Sequence, residues 1–213
     1  MGNYQCIICG GETASYSSSP GYFICGCCGV VFLERSRVVS PEEEKERYLK
    51  HTNGTDEPGY TGMLDEFIKV CVAPFAGEGS FILDYGSGPE PLLARFLEGR
   101  GYKTDTYDPF FAPEKKFEFE KYGAVTAVEV LEHMKDPLGE IKIIADILKP
   151  GGIFAGRTMF LPQEEKKFAN WWYRFDITHI TFYSPQSLAH IAEAAGMELI
   201  LGEAPCFFVM VKK

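Results

Sequence analysis

The stretch Phe81-Ile82-Leu83-Asp84-Tyr85-Gly86-Ser87-Gly88-Pro89 decides how this chain is read. Three apolar residues run into an acid and then into a glycine-spaced turn. An apolar run closed by glycine reads as a buried parallel strand. Gly86 and Gly88 let the backbone take positive φ and approach a ligand closely. Pro89 suits the first turn of a following helix. Strand, glycine turn and helix in that order form the unit with which open α/β sheets bind nucleotides. Asp108 lies 20 residues after Gly88, at the end of the next strand candidate, Lys103 to Tyr107. A carboxylate there suits ribose hydroxyls, which donate to it.

Further along, residues Ala124 to Val128 predict a second buried strand, ending in Glu129-Val130-Leu131-Glu132-His133. Leu148-Lys149-Pro150-Gly151-Gly152 then turns a helix into a third strand, Ile153 to Met159. Together these pieces resemble a class I S-adenosylmethionine-dependent methyltransferase. The resemblance covers roughly residues 60 to 213. It rests on Asp84-Tyr-Gly86-Ser-Gly88, Asp108, Glu129-Val-Leu-Glu132-His133 and Leu148-Lys-Pro-Gly-Gly152. It implies a Rossmann-like, doubly wound α/β fold with a mostly parallel sheet. Met197 to Leu201 and Cys206 to Val211 are expected to end it as an antiparallel hairpin at the sheet edge. The resemblance also implies S-adenosylmethionine as cofactor, held by Asp84, Gly86, Ser87, Gly88, Asp108, Pro109, Glu129 and Val130. Tyr60, on a helix before the first strand, is expected to touch it as well, with packing an equal alternative. Only 15 residues separate Asp108 from Ala124, too few for a strand-helix pair. One strand of the family pattern is therefore expected to be reduced or lost.

Five of the seven cysteines fall within residues 6 to 28. Cys6-x-x-Cys9 and Cys25-x-x-Cys28 are two knuckles separated by 15 residues. That spacing predicts a small four-cysteine zinc ribbon with Cys6, Cys9, Cys25 and Cys28 as ligands and zinc in a structural role. Cys27 remains an alternative to Cys28. The expected organisation is a zinc-ribbon-like module over residues 1–38, a helix and linker over 39–58, and the larger domain over 59–213. Ser40-Pro41-Glu42-Glu43 carries the cap, first-turn proline and capping-box acid of a helix start.

The net charge is −9, and residues 1 to 33 contain no Lys or Arg. Phosphate-backbone binding needs basic side chains, so nucleic acid is a disfavoured partner. The ribbon is read as a folding staple, a protein-docking surface or part of a lid. No run of 18 apolar residues exists, so no membrane span is expected, and Met1 to Gln5 lacks signal-peptide features. The cytoplasm is the expected compartment.

Residues 168–183, Phe-Ala-Asn-Trp-Trp-Tyr-Arg-Phe-Asp-Ile-Thr-His-Ile-Thr-Phe-Tyr, follow the last parallel strand. They resemble a subset of methyltransferases sharing Trp-x-Tyr-x-x-Asp-x-Thr-His-x-x-Phe-Tyr, matched by Trp171, Tyr173, Asp176, Thr178, His179, Phe182 and Tyr183. Trp171, Trp172, Arg174 and Tyr183 are candidates to wall an acceptor pocket. Asp176 and His179 are expected to orient one another, giving a base near the methyl, with Tyr173 and His133 as further catalytic candidates. Each of these aromatics is equally readable as a loop anchor. The expected activity is methyl transfer to a small-molecule or polar metabolite acceptor. RNA methylation and a non-catalytic, partner-docking role are the alternatives.

Overall fold

The computed structural model describes residues 4–16, 19–50, 58–115, 117–203 and 205–213. Most of the expected linker, residues 51–57, lies outside them.

The cysteine-rich segment forms three short strands: β1 (Thr13–Ser15), β2 (Tyr22–Cys25) and β3 (Val31–Leu33). β1 pairs with β2, and β2 with β3, all antiparallel. Helix α1 (Pro41–Leu49) follows, opened by Ser40. The Ser40 hydroxyl accepts from the Glu43 amide while the Glu43 carboxylate accepts from the Ser40 amide. This reciprocal box satisfies two donors that a helix start otherwise leaves open.

Helix α2 (Pro58–Phe67) then runs, through a π-helical turn at Ile68–Val72, to β4 (Phe81–Tyr85). The elements that follow are α3 (Leu92–Glu98), β5 (Lys103–Tyr107), β6 (Tyr122–Val128), α4 (Pro137–Ile147) and β7 (Leu148–Arg157). The chain ends with α5 (Glu165–Ala169), β8 (Thr181–Phe182), α6 (Pro185–Ala194), β9 (Met197–Glu203) and β10 (Phe207–Lys212). The large sheet has the order β5-β4-β6-β7-β10-β9. β4, β5, β6 and β7 are parallel neighbours, whereas β10 is antiparallel to both β7 and β9. No strand lies between β5 and β6 among the described residues, as the short spacing after Asp108 predicts. Helix α3 begins at Leu92 rather than at Pro89. Pro91 itself lies outside the helical region, at φ −76° and ψ 67°, and a proline also disfavours that region for the residue before it.

Two apolar layers cover the sheet. One gathers Leu83, Val125, Ile141, Ile144, Phe154, Leu188 and Phe208; the other gathers Leu64, Phe67, Ile68, Ile82, Leu93, Ala124 and Val209. Fully burying each aliphatic or Phe side chain contributes on the order of 1.5–3 kcal/mol before entropy is counted. The ribbon is not an isolated appendage. β3 pairs with β8, so one four-stranded sheet, β1-β2-β3-β8, joins the N-terminal segment to the loop that follows β7. Tyr16, Tyr22, Val31, Phe168, Tyr173 and Phe182 pack beneath that joint. No helix among the described residues is long and apolar enough to cross a membrane.

Candidate active site

The carboxyl ends of β4, β5 and β6 open onto a cavity of about 1330 Å³. Gly86 and Gly88 form its near wall at φ 78° and 67°. At Gly86 a Cβ would sit 2.4 Å from Val130 Cγ2, whereas at Gly88 nothing lies within 4 Å. The first glycine is thus required by packing, and the second leaves backbone open to a ligand. The amides of Gly86 and Ser87 both donate to Tyr107 O, at 2.7 and 3.1 Å, which ties the turn to β5. Ser87 Oγ is buried and has no hydrogen-bond partner among the described residues.

Asp108 organises the same wall. One carboxylate oxygen accepts from the Gly88 amide at 2.9 Å, the other from the Phe110 and Phe111 amides at 2.8 and 3.0 Å. A carboxylate offers about four lone-pair sites, so capacity remains for a ribose hydroxyl. Asp84 lies behind the turn at 3% exposure and does not line the cavity. Its burial raises the carboxyl to about 7, against hydrogen bonds from the Ala94 amide and Thr126.

Glu129 and Val130 close the far end of β6. Glu129 is a non-glycine residue at φ 54°, a conformation that costs of order 1 kcal/mol or more and clusters at functional sites. Arg157, at the end of β7, pairs with its carboxylate. Burial, reinforced by Glu132 and opposed by Arg157, still pushes the Glu129 carboxyl up to about 8. Tyr60, from α2, lines the cavity beside them, and burial raises its hydroxyl to about 12.

The opposite wall draws on distant segments. His133 ends a 3-10 turn at Leu131–His133, and Asp176 and His179 follow another at Trp172–Phe175. The two histidine rings meet edge to face, with centroids 4.8 Å apart. His133 Nδ1 lies 2.9 Å from Thr178 O, and His179 Nδ1 lies 2.7 Å from Tyr173 O. The Asp176 carboxylate accepts from the Thr178 amide and hydroxyl on one oxygen. Arg47 donates to the other through Nε at 3.1 Å and Nη2 at 2.7 Å. Burial pushes the Asp176 carboxyl up, but Thr178 and Arg47 outweigh it and hold the group well below the usual range. Asp176 and His179 are joined by the backbone, His179 N donating to Asp176 O at 3.1 Å. Tyr173, nearly inaccessible, donates its hydroxyl to Glu132 at 2.5 Å.

Helix α1 completes this wall, a role its sequence did not announce. Besides Arg47, it supplies Tyr48, which stacks edge-on against His133, and Glu44, which binds Lys135 at 3.0 Å. The cap, first-turn proline and capping box mark the helix but not what it covers. Arg157 was equally unforeseen, because a lone arginine at a strand end carries no local signal.

Of the acceptor-wall candidates, Trp172 lines the cavity and is 67% exposed, beside Phe175 at 62%. Trp171, Arg174 and Tyr183 do not line it. Trp171 packs on Phe168, Tyr173 and Phe182, and the Arg174 guanidinium lies over Tyr22 and Phe168. Tyr183 is fully buried and donates to Leu131 O at 3.0 Å. These three residues anchor the loop to the ribbon and to the sheet. Pro109, by contrast, lines the cavity beside Asp108.

The Cys6, Cys9, Cys25 and Cys28 sulfurs lie within 4.8 Å of one another. Cys6 and Cys28 Sγ are 3.5 Å apart, and Cys9 and Cys25 Sγ 3.4 Å. Tetrahedral zinc thiolates place sulfurs about 3.8 Å apart, so the cluster fits zinc. Cys28 is buried within it, and Cys27 is exposed.

A family model described as a methyltransferase domain matches residues 62–201. The ubiquinone biosynthesis O-methyltransferase of Dinoroseobacter shibae is 29% identical over 141 residues, covering 61% of this chain and 56% of that protein. Its namesake in Aliivibrio fischeri is 33% identical over 85 residues, covering 39% of this chain and 36% of that protein. The match therefore spans about half or less of these curated relatives. Among solved structures, the 1,6-didemethyltoxoflavin-N1-methyltransferase of Burkholderia thailandensis, with bound 1,6-didemethyltoxoflavin and S-adenosylhomocysteine, has a TM-score of 0.60 at 14% identity. That likeness covers 92% of this chain and 97% of the other, and it concerns the fold. With the glycine turn, the strand order and the match over residues 62–201 in agreement, the chain belongs to the methyltransferase domain family.

Proposed function

We propose that this protein transfers a methyl group from S-adenosylmethionine to an oxygen of a small-molecule acceptor. The observation that carries the reading is the cradle made by Gly86, Ser87 and Gly88 beside Asp108, on the wall of the 1330 Å³ cavity. The buried, unpartnered Ser87 Oγ and the open face of Gly88 fit a polar ligand there. The names of the curated relatives support an oxygen acceptor.

In this reading the glycine turn, Glu129 and Val130 hold the amino-acid part of the cofactor, and Asp108 accepts its ribose hydroxyls. Pro109 and Tyr60 bound it from either side. The cofactor supplies an electrophilic methyl, whose bond to sulfur breaks with the electron pair left on sulfur. The acceptor oxygen forms the new bond and passes its proton to Nε2 of His133 or His179, whose Nδ1 atoms face backbone carbonyls. Trp172 and Phe175 cover the mouth and exclude water. Asp176 is a positioning residue that holds the His179 loop against α1. Zinc in the four-cysteine cluster is structural, since four thiolates leave no open position.

Calorimetric titration with S-adenosylmethionine and S-adenosylhomocysteine tests the reading. Micromolar binding of both is expected, weakened at least tenfold in Asp108→Asn, whose amide places a donor group beside the Gly88 amide. Folded, metal-replete protein that binds neither compound overturns it.

A further inference from the structure

We propose that Glu132, His133 and His179 form a divalent-cation site on the acceptor side of the cavity. One ligand-capable atom from each lies within 4.8 Å of the other two. The residues come from two segments far apart in sequence. The Ile180 amide, donating to Glu132 O at 2.8 Å, joins them.

The hydrogen bonds set the tautomers. Both Nδ1 atoms face backbone carbonyls, at 2.9 Å for His133 and 2.7 Å for His179. A carbonyl only accepts, so in the neutral ring Nδ1 carries the proton and the lone pair sits on Nε2. A ring fixed by Nδ1–H donating to a carbonyl is the usual outer support of a metal-binding histidine. His133 Nε2 lies 4.0 Å from Glu132 Oε1. Glu132 is wholly buried, and its Oε2 has no hydrogen-bond partner among the described residues. A buried carboxylate oxygen with no donor is costly, and a cation would satisfy it. The Tyr173 hydroxyl, 2.5 Å from Oε1, orients the carboxylate as an outer partner would.

Two imidazoles and one carboxylate suit manganese, iron(II) or zinc better than calcium or magnesium. Three protein ligands leave open positions for an exchangeable oxygen ligand. Both histidines line the cavity, so those positions are reachable from it. A hydroxyl bound there would lose its proton more readily near neutral pH. That role rests on the proposed methyl transfer; the site itself does not. It would make the two histidines ligands rather than a lone base.

The test uses full-length protein carrying one equivalent of zinc in its thiolate cluster. Manganese(II) is added and free ion is followed by electron paramagnetic resonance; in parallel, a further zinc equivalent is sought by elemental analysis after dialysis. Thiolates bind manganese poorly, so the cluster does not interfere. One extra equivalent of either ion is expected, with affinity reduced at least tenfold in His133→Gln and in His179→Gln, and unchanged in the control His190→Gln. If either histidine variant fails to fold by circular dichroism, the isosteric Glu132→Gln replaces it. Wild-type protein that binds S-adenosylmethionine but takes up neither ion overturns the cation site and leaves the methyl-transfer reading standing. Uptake unaffected by the variants also overturns it. Uptake lost in the variants, in protein that never binds the cofactor, supports the site and removes the methyl-transfer reading instead.

Discussion

The two walls of the cavity are held together by different physics. The glycine wall is made at the ends of neighbouring parallel strands, and its bonds stay close to the turn that carries them: Gly86 to Tyr107, and Asp108 to Gly88, Phe110 and Phe111. The histidine wall is assembled across the chain. Arg47 and Asp176 are 129 residues apart, and Lys135 and Glu44 are 91 apart. Backbone register and glycine dihedrals set the first wall, whereas ion pairs and ring contacts between separate segments set the second. The first should therefore persist when the second is loosened.

With zinc in the Cys6, Cys9, Cys25 and Cys28 cluster as proposed, its removal is the largest perturbation. Structural zinc contributes on the order of 10 kcal/mol to modules of this kind. The loss should not stop at the ribbon, because Leu33 N donates to Ile180 O at 2.8 Å and β3 pairs with β8, next to His179. Hydrogen exchange after chelation should show lost protection at residues 22–33 and 179–183 with residues 81–88 still protected. Simultaneous opening of residues 81–88 would erase the distinction between the walls.

Asp84→Asn probes the base of the glycine wall. An ordinary aspartate titrates near 3.8, but burial raises Asp84 to about 7. Between those values the folded state holds a proton that the unfolded state has released, so stability falls as pH rises through that window. The asparagine variant should thus gain stability, at most ~4 kcal/mol, above pH 7 and nothing below pH 4. Urea unfolding at pH 4 and pH 8 measures this, and an equal change at both would contradict it.

Gly86→Ala places a methyl group 2.4 Å from Val130 Cγ2 at φ 78°. The strain is roughly 1–3 kcal/mol, and cofactor affinity should drop about tenfold. Calorimetry giving wild-type affinity would show that the turn can shift without consequence. Arg47→Ala, the mildest change, removes one partner of a half-buried pair and should cost about 1–2 kcal/mol in thermal unfolding. Cofactor affinity should stay the same. A parallel fall in both would mean that the walls are coupled.

The residues that were legible in advance share one property: their signal is local. The Gly86 and Gly88 turn, the Ser40 capping box, the two cysteine knuckles and the missing strand after Asp108 all follow from the residues at those positions. The hydrogen-bonding chemistry or conformational range involved spans only a few residues. Trp171, Arg174 and Tyr183 show the limit. An aromatic-rich loop reads the same whether it walls a pocket or packs on its own scaffold, and here these three pack. Trp172, in the same run, turns toward the cavity.

The strand-turn-helix unit, the four-cysteine cluster and the acid after β5 are written in the residues at those positions, because period, glycine and cysteine spacing act over short distances. That α1 walls the cavity, that Arg157 meets Glu129, and that His133 and His179 face each other becomes visible once the chain is folded. Those contacts depend on how separate apolar faces come together around one sheet, and no short window of residues encodes that arrangement.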